Sequence, residues 1–252
     1  MKKIFFAGES YIGYTVHVKG ADSMTTQSYT ENAGRFMQAM KNAGYEVTYM
    51  PSHVALNDFP DTVEKLQQYD LVILSDIGAN TLLMTKSSMP GGIPAPNRCK
   101  AIRDYVLQGG SFMMIGGFMS FTGIEGKAHY GTTAIADIIP ADLLPYDDRV
   151  EVPESCTPVI IEKDHPIFAG LPTDQSQWPY MIGYNKLIPN PAKGKVLAEF
   201  EEGPYIVAGE FGKGRSIAYT SDCAPHWGSP RFIAWEHYDR LWYNIIEWLT
   251  EK

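Results

Sequence analysis

The chain has 252 residues, of which 44% are hydrophobic, and a formal net charge of −8. The acidic balance excludes most nucleic-acid partners, because no basic patch is available to replace the counterions of phosphate. Three widely spaced cysteines, Cys99, Cys156 and Cys223, fit neither a disulfide framework nor a zinc-ligand pattern. The sequence has no run of about 18 apolar residues, so no membrane span is predicted. The apolar run near residue 1 is too short for the core of a signal peptide, and we therefore expect a cytoplasmic protein.

The first half of the chain alternates between apolar strand-like runs and amphipathic helices. Strands are predicted at residues 3–7, 45–50, 70–75 and 112–115, helices at 29–43, 61–68 and 98–107, and loops at 12–28 and 84–97. Apolar runs without alternation are typical of strands buried on both faces. The strand–helix order therefore predicts an α/β fold with a parallel sheet between two helical layers.

The second half is less regular at first. Residues 124–194 are interpreted as an insertion or edge layer of one domain spanning 1–252, with a short helix at 134–139, strands at 150–152 and 157–161, and a turn-rich segment at 165–172. Three strands joined by hairpin-like connectors follow at 195–200, 205–210 and 215–220. After a loop at 221–228, a Trp- and Tyr-rich helix at 232–249 closes the chain. Most of its aromatic residues are expected in the core, and any exposed remainder would indicate a subunit interface.

The segment 111–123, SFMMIGGFMSFTG, is the most informative stretch. A buried strand that turns on Gly116-Gly117 and leads into a predicted helix start is how many α/β enzymes present a nucleophile on a strained elbow. This elbow carries Met119 and Ser120 and no cysteine. The glycines lack the spacing of a dinucleotide or triphosphate loop, so no cofactor is expected. Backbone amides there and at Gly78 remain candidates for binding an oxyanion or a carboxylate.

Polar side chains follow three of the predicted strands. Glu9 follows the first, Asp76 the third, and Ser120 lies on the elbow after the fourth. Open α/β sheets bind ligands at the carboxyl ends of their strands, so we expect these three residues to converge. Glu9 is interpreted either as an acid/base or sugar-binding group or as a solvated loop carboxylate.

The order of these pieces resembles the class I glutamine amidotransferase-like superfamily, and within it the trehalose-utilisation-like (ThuA-like) proteins. Three motifs carry the resemblance: the elbow after Gly109-Gly110, HPIFAGLP at 165–172, and FGKGRSIAYTSD at 211–222 followed by His226. The resemblance implies a flavodoxin-like three-layer sandwich with a mostly parallel central sheet and an antiparallel edge. It also implies a homo-oligomer.

Amidotransferases of this superfamily use an elbow cysteine, a histidine after the last core strand and a glutamate two residues beyond it. The thiolate attacks, the histidine activates it, and the carboxylate orients the histidine. In this chain no cysteine lies on the elbow, His226 matches the histidine, and Gly228 stands where the glutamate is expected. We therefore predict that glutamine is not hydrolysed by the family mechanism.

Three functions stay open from the sequence. The first is a noncatalytic protein that binds a small polar metabolite, a sugar or a carboxylate, in an elbow pocket formed by Gly117, Phe118, Met119, Asp76, Gly78, Asp222 and Trp227. The second is a divergent hydrolase that uses Ser120 with His226, or Glu9 with His226; Ser120 is equally interpretable as a helix cap. The third is an assembly protein with a vestigial site. Glu9, Asp222 and His226 lack metal-site spacing, so no metal is expected. An open elbow lined by Glu9, Asp76 and His226 would favour ligand binding.

Overall fold

The computed structural model describes residues 1–251. The strands in chain order are β1 (Lys3–Gly8), β2 (Ser10–Lys19), β3 (Asp22–Glu31), β4 (Glu46–Met50), β5 (Leu71–Ser75), β6 (Ser111–Ile115), β7 (Asp142–Leu143), β8 (Arg149–Cys156), β9 (Val159–Ile160), β10 (Met181–Asn185), β11 (Leu187–Ile188), β12 (Lys195–Phe200), β13 (Gly203–Phe211) and β14 (Gly214–Tyr219). The α-helices are α1 (Gly34–Asn42), α2 (Ser52–Asp58), α3 (Val63–Leu66), α4 (Ala79–Leu83), α5 (Arg98–Leu107), α6 (Pro230–Ile233) and α7 (Tyr238–Thr250).

Eight strands form the central sheet in the order β4-β1-β5-β6-β14-β13-β12-β9. The first five are parallel, and β13, β12 and β9 continue the sheet as an antiparallel edge. The predicted flavodoxin-like α/β sandwich is therefore confirmed. β1 pairs with β4 on one side and β5 on the other, so the winding of the sheet reverses between β1 and β5. Ligands of doubly wound sheets bind outside the carboxyl ends of the strands at such a reversal.

Alternate side chains of the central strands enter two separate cores. Phe6 on β1 packs on Phe36 of α1, which contacts Trp242 of α7 with ring centroids 4.7 Å apart. Phe5 faces the other way, toward the layer that includes α5 and its buried Tyr105. Both cores exclude solvent, which explains why β1, β5 and β6 read as continuous apolar runs.

The helices differ from the sequence-based expectations at their ends. α1 begins at Gly34 and not at residue 29, because residues 29–31 belong to β3. The helix expected at 61–68 is the short α3, and α2 and α4 were not predicted. The closing helix is split into α6 and α7. Tyr238 and Trp242 are fully buried in the core, whereas Trp248 is half-buried and Tyr243 is exposed.

The predicted loop at residues 12–28 is wrong. β2 and β3 pair with each other over ten residue pairs, from Ser10–Glu31 to Lys19–Asp22, and form a separate two-stranded antiparallel ribbon. The signal is present in β2, where apolar residues alternate with Gly, Thr, His and Lys. The many Thr, Ser and Gly residues of the segment 10–31 are typical of a loop and conceal this period-2 pattern.

The region 124–194 contains small pieces of structure. The 3-10 helices of the chain lie at Ile124–Gly126, Tyr130–Thr132, Ala134–Ile138, Pro166–Phe168 and Gln175–Gln177. β8 pairs with β10, β7 pairs with β11, and β9 joins the edge of the central sheet. The predicted strands at 150–152 and 157–161 therefore exist but do not pair with each other. The helix expected directly after the elbow is absent from the described residues, where turns lead to Ile124.

Within residues 1–251, none of the helices has the length and apolar character needed to cross a bilayer.

Candidate functional site at the carboxyl edge of the sheet

The strand register fixes which residues meet at the carboxyl edge. Gly8, Ser75, Ile115 and Tyr219 lie in one row across β1, β5, β6 and β14. The residue after each of them leaves the sheet at the same level. This places Glu9 and Asp76 next to each other at the reversal point and brings the elbow beside them, as the strand order of the sequence predicted.

A buried carboxylate group forms at this edge from Glu9, Asp76 and Asp222. Glu9 and Asp222 are 3% and 4% exposed, whereas Asp76 is half-buried. The Ser75 hydroxyl donates a 2.5 Å hydrogen bond to Glu9 Oε1. Asp222 is held by the backbone N–H of Ala224 at 2.8 Å. We refer to these three carboxyl groups as the acidic cluster.

Burial raises the pKa of each carboxyl group in the acidic cluster, and Glu9 is protonated at neutral pH. Burial, followed by the charge of Asp76, raises the pKa of Glu9 to about 8. Burial also raises the pKa of Asp76, and burial together with Glu9 and Asp76 raises that of Asp222 well above its usual value. A protonated Glu9 beside the carboxyl oxygens of Asp76 and Asp222 provides both a hydrogen-bond donor and acceptors.

Backbone strain accompanies the cluster. Glu9 and Asp76 adopt φ angles of 49° and 44°, and His226 has a φ of 145°. Such angles cost non-glycine residues roughly 1–3 kcal/mol each and are found most often at functional sites. All three residues were selected from the sequence as site candidates, and the strain supports a role for this edge beyond holding the fold.

His226 lies at the outer side of the cluster. Its Nδ1 is 4.0 Å from Asp222 Oδ2, and its side chain is 40% exposed. The ring packs against Phe118 with centroids 4.3 Å apart and stacks beside Trp227 at 5.3 Å. Burial lowers the pKa of His226, so the imidazole is neutral near pH 7. A neutral imidazole beside a carboxyl group is able to accept a proton or a hydrogen bond from a ligand.

The aromatic neighbours of His226 differ in how they face solvent. Phe118 is half-buried and carries the Arg149 guanidinium 5.2 Å from its ring centroid. Trp227 is fully buried, and its Nε1 donates to Glu151 Oε2 at 3.1 Å. Phe118 is therefore the aromatic side chain of the pair that a ligand can reach, while Trp227 supports it from beneath.

The elbow has no room for a nucleophile at its strained position. A nucleophile elbow places its reactive residue on a strained turn. Here Gly117, directly after Gly116, has a φ of 150°, and Phe121 and Gly123 further along have φ angles of 53° and 74°. A Cβ at Gly117 would lie 2.9 Å from both Cβ and Oδ1 of Asp76. Asp76 Oδ1 also accepts a 2.7 Å hydrogen bond from Met119 N–H. The carboxylate of Asp76 thus fills the space that an elbow side chain would need.

The backbone amides proposed for an oxyanion site already have partners. Gly117 N–H donates to Asn185 Oδ1 at 3.0 Å, and Ala79 N–H donates to the Ala128 carbonyl at 2.8 Å. Gly78 itself is closely packed, since a Cβ there would lie 2.8 Å from Met119 Cε. The amides of Gly117 and Ala79 are therefore not available to a developing oxyanion.

Ser120 is also committed to the fold. It is 1% exposed, its hydroxyl donates to the Ile115 carbonyl at 2.5 Å, and it accepts from Asp76 N–H at 3.1 Å. The structure assigns it no hydrogen bond with His226 within the described chain and no helix to cap. At Gly228, a Cβ would lie 2.4 Å from the Ala224 carbonyl oxygen, which excludes the family glutamate without a backbone shift.

The cysteines are not poised as nucleophiles. Cys223 is fully buried with its Sγ 3.9 Å from Ser75 Oγ, and burial raises its pKa well above the usual value. Burial raises the pKa of Cys99 to about 11 and that of Cys156 to about 12. Reactive cysteines have lowered pKa values, so none of these thiols replaces the missing elbow cysteine.

A metal ion would find one set of close ligand atoms in residues 1–251. Single ligand atoms of Glu9, Asp222 and Cys223 lie within 4.8 Å of one another, and all three residues are buried. Metal ligands must be deprotonated. The raised pKa values of all three groups oppose that step, and we propose no metal here.

Sequence reasoning missed the side chains that hold the elbow from behind. Asp148 is 1% exposed and accepts hydrogen bonds from Thr122 N–H, Gly123 N–H and Asn185 Nδ2, at 2.8, 2.9 and 2.8 Å. Asn185, held by Asp148, in turn accepts the hydrogen bond from Gly117 N–H and so fixes the turn of the elbow. These partners are tens of residues apart in sequence, and no local pattern signals the pairing.

A second concave region lies away from the cluster. A cavity of about 1060 Å³ opens between β8, the loop before β10 and the β12–β13 turn. Its lining includes Trp178, Tyr184 and Phe200 together with several glutamates. It contains none of the predicted site residues, and the chemical arrangement described above favours the sheet edge as the functional site.

Comparison with known proteins identifies the family and the fold. A family model described as "Putative glutamine amidotransferase" matches residues 3–251. No curated protein matches the chain. Cytoplasmic Protein STM1381 from Salmonella typhimurium LT2 is 42% identical, with a TM-score of 0.93 over 98% of this chain and 99% of its own.

A second Salmonella typhimurium structure, Cytoplasmic Protein STM3548, is 35% identical, with a TM-score of 0.93 over 98% of both chains. A ThuA-like protein from Parabacteroides merdae ATCC 43184 is 12% identical, with a TM-score of 0.57 over 99% of this chain and 90% of its own, and shows the shared fold alone. The chain therefore belongs to the glutamine amidotransferase-like family that this model describes.

Proposed function

We propose that this protein is an amidotransferase-like binding protein that has no nucleophilic thiol and holds a small polyhydroxylated metabolite, of the sugar type, at the elbow. The observation that carries the proposal is the juxtaposition of half-buried Asp76 with Phe118 and His226 beside the buried, protonated Glu9. Small-molecule sites combine apolar walls with a few fixed polar groups. Sugar hydroxyls donate to carboxylates and accept from protonated carboxyls, and their C–H faces pack on aromatic rings.

A sugar fits this edge better than the carboxylate that the sequence also left open. The nearest ionisable groups are Glu9, Asp76 and Asp222, and burial already disfavours the ionised form of each, so a ligand that carries its own negative charge is disfavoured beside them. Arg149, the nearest guanidinium, is bound by Asp147 at 2.8 Å and is not free to balance that charge. We place this binding protein in the cytoplasm, a proposal supported by the names of the two Salmonella relatives.

A thermal-shift screen of mono- and disaccharides tests the proposal. A ligand at about a hundred times its Kd stabilises the native state by about 2.7 kcal/mol, so a true ligand raises Tm. Asp76→Asn keeps an oxygen that can accept from Met119 N–H but changes the group that faces the ligand, and we expect it to lose the shift. Asp147→Asn, away from the cluster, should keep it. If no saccharide raises Tm, or if Asp76→Asn responds as the wild type does, the proposal is wrong.

The acid–base arrangement favours one second candidate, an enzyme acting on the same ligand. Glu9 with a pKa of about 8 is a proton donor at neutral pH, and His226 near Asp222 is a proton acceptor. This candidate would be established if the protein converted the bound sugar and if each of the single variants Glu9→Gln and His226→Gln abolished that turnover. Binding without turnover would leave the noncatalytic proposal standing. The Ser120 variant of the hydrolase hypothesis has no such support, because its hydroxyl is bonded to Ile115.

A further inference from the structure

The β2–β3 ribbon presents one apolar and one polar face. Residues directly opposite in an antiparallel pair share a face, and Ile12 pairs with Tyr29, whereas His17 pairs with Met24. Alternation along β2 completes the first face, whose apolar members are Ile12, Tyr14, Val16, Val18 and Tyr29. The second face carries mainly Thr, Ser, His17, Lys19 and Asp22, with Tyr11 and Met24 as its exposed apolar members.

At its base the apolar face meets α2, where the Tyr29 ring packs edge-on against His53 with centroids 5.1 Å apart, and toward the tip its side chains stay exposed. Its five apolar side chains are between 42% and 73% exposed. An isolated two-stranded hairpin is marginally stable in water, and period-2 alternation of this kind is the pattern of a strand with one buried face. A ribbon of ten residue pairs at about 3.4 Å per residue extends roughly 30 Å, far more than a connecting turn requires.

We propose that the apolar face of the ribbon is a dimerisation surface and that its occupant is the same face of a second copy of this chain. A flat face formed by two antiparallel strands is self-complementary across a two-fold axis, as an isologous interface requires. The two ribbons would then pack face to face at about 10 Å, like the layers of a β-sandwich.

The area agrees with a stable dimer. A large aromatic side chain offers about 150–250 Å² for burial, so the exposed fractions of the five residues amount to roughly 600 Å² per copy. Two copies would remove roughly 1,200 Å², which is the lower end of the range for specific interfaces. Contacts at the edges of the ribbons would add to this value.

Charge also favours self-association at this face. The chain carries a net charge of −8, so most approaches of two copies are repulsive. Along the apolar face, Glu31 at the base is the one charged member, since Lys19 and Asp22 lie on the other face at the tip. Depletion of charge and enrichment in Tyr are typical of interface centres. In the closing helix, by contrast, Tyr238 and Trp242 are buried in the core, and Tyr243 is the exposed aromatic residue.

Sedimentation velocity or light scattering on the purified full chain tests the proposal with a matched pair of variants. Val16→Glu places a carboxylate on the apolar face, and Thr15→Glu places the same group on the adjacent residue of the opposite face. The isologous interface would contain two buried charges per dimer, so we expect Val16→Glu to raise the dimer Kd by about a hundredfold or more. Thr15→Glu should leave the wild-type dimer intact.

A shortened ribbon keeps the test decisive if Val16→Glu folds poorly. Removal of residues 14–27 joins Gly13 to Ser28, and Gly-Ser is a suitable two-residue turn between Ile12 and Tyr29. We expect this variant to be a folded monomer. A monomeric wild type at micromolar concentration would overturn the proposal, whether its apolar face then bound lipid vesicles, another protein or nothing. A shortened variant that remained dimeric would overturn it equally.

Discussion

The elbow after β6 and the ribbon after β1 both leave the central sheet at its carboxyl edge. In the elbow, Gly117 N–H, Met119 N–H and the Ser120 hydroxyl all have partners inside the chain. In the ribbon, the side chains from Tyr11 to Thr30 are exposed or half-buried and the backbone pairs only with itself. The polar groups of the elbow are thus engaged inside the chain, whereas the ribbon, which has the composition of a loop, presents exposed apolar side chains.

Glu9 connects the two segments. Its carboxyl group belongs to the acidic cluster, and its carbonyl oxygen accepts a 2.9 Å hydrogen bond from Asn32 N–H, just beyond the end of β3. The base of the ribbon and the candidate site thus share one strained residue. We expect changes in the elbow, at Glu9 and in the ribbon to alter the free energy of unfolding by different amounts. The largest effect is expected in the elbow and the smallest in the ribbon.

The largest effect is expected from Asp148→Ala. The buried carboxylate satisfies Thr122 N–H, Gly123 N–H and Asn185 Nδ2, and its loss leaves three buried donors without an acceptor. Urea denaturation should show a loss of about 3 kcal/mol or more. Asp147→Ala is the matched control, because its pairing with Arg149 is partly exposed and should contribute about 1 kcal/mol or less. Equal losses in the two variants would show that the elbow does not depend on Asp148.

The next effect is the pH dependence removed by Glu9→Gln. The pKa of Glu9 is about 8 in the folded chain and 4.5 ordinarily, so the unfolded chain loses this proton first as the pH rises. Stability of the wild type should therefore fall between about pH 4.5 and pH 8, by on the order of 2–4 kcal/mol from this group. Glu9→Gln should flatten that fall and be the more stable protein at pH 8.

Asp147→Asn provides a contrast of opposite sign. Hydrogen bonds from Arg149 lower the pKa of Asp147, so its contribution is present at neutral pH and disappears as the pH falls through the folded pKa. Stability curves from pH 2 to pH 9 should change on the acidic side in this variant and on the neutral side in Glu9→Gln. A Glu9→Gln curve parallel to the wild type would contradict the buried, protonated state of Glu9.

A thiol installed on the elbow should not restore amidotransferase chemistry. Gly117→Cys brings a Cβ within 2.9 Å of Asp76 at a φ of 150°, so we expect a loss of about 1–3 kcal/mol and no release of ammonia from glutamine. Gly34→Cys adds the same group where a Cβ meets no atom within 4 Å, and it should be tolerated. Glutaminase activity in Gly117→Cys would mean that the elbow is still a working scaffold.

The sequence predicted the elements whose residues are buried on both faces. The runs at β1, β5 and β6 have no solvent-facing side to interrupt them, and the hairpin-connected β12, β13 and β14 carry clear turn signals. Convergence of Glu9 and Asp76 followed from the strand order, since parallel strands end at one edge. Burial of these groups did not follow, because it depends on Asp222 and on the loops that cover the edge.

The misses have a common physical cause. Asn185 and Asp148 support the elbow through contacts between residues far apart in the chain. Asn185 bonds to Asp148, 37 residues away, and to Gly117, 68 residues away. A side chain at Gly117 would clash with Asp76, and this clash depends on how closely the ends of β5 and β6 approach each other. The ribbon was misread because its apolar face is not buried in the chain that encodes it, so its composition remains close to that of a loop.

The smallest effect is expected from shortening the ribbon, measured as stability and not as assembly. Residues 14–27 form no part of either hydrophobic core, so their removal should change the free energy of unfolding by about 0.5 kcal/mol or less in dilute protein. In concentrated protein the wild type alone should gain stability, because assembly of the native state draws the equilibrium toward folding. A wild-type Tm that rises with protein concentration, beside a shortened variant whose Tm does not, would separate a ribbon that joins copies from one that holds the fold. If the shortened variant instead lost about 2 kcal/mol of unfolding free energy at every protein concentration, the ribbon would be a structural element of the monomer. Glu9, whose carbonyl oxygen accepts a hydrogen bond from Asn32 N–H at the base of the ribbon, would then connect the ribbon to the rest of the fold.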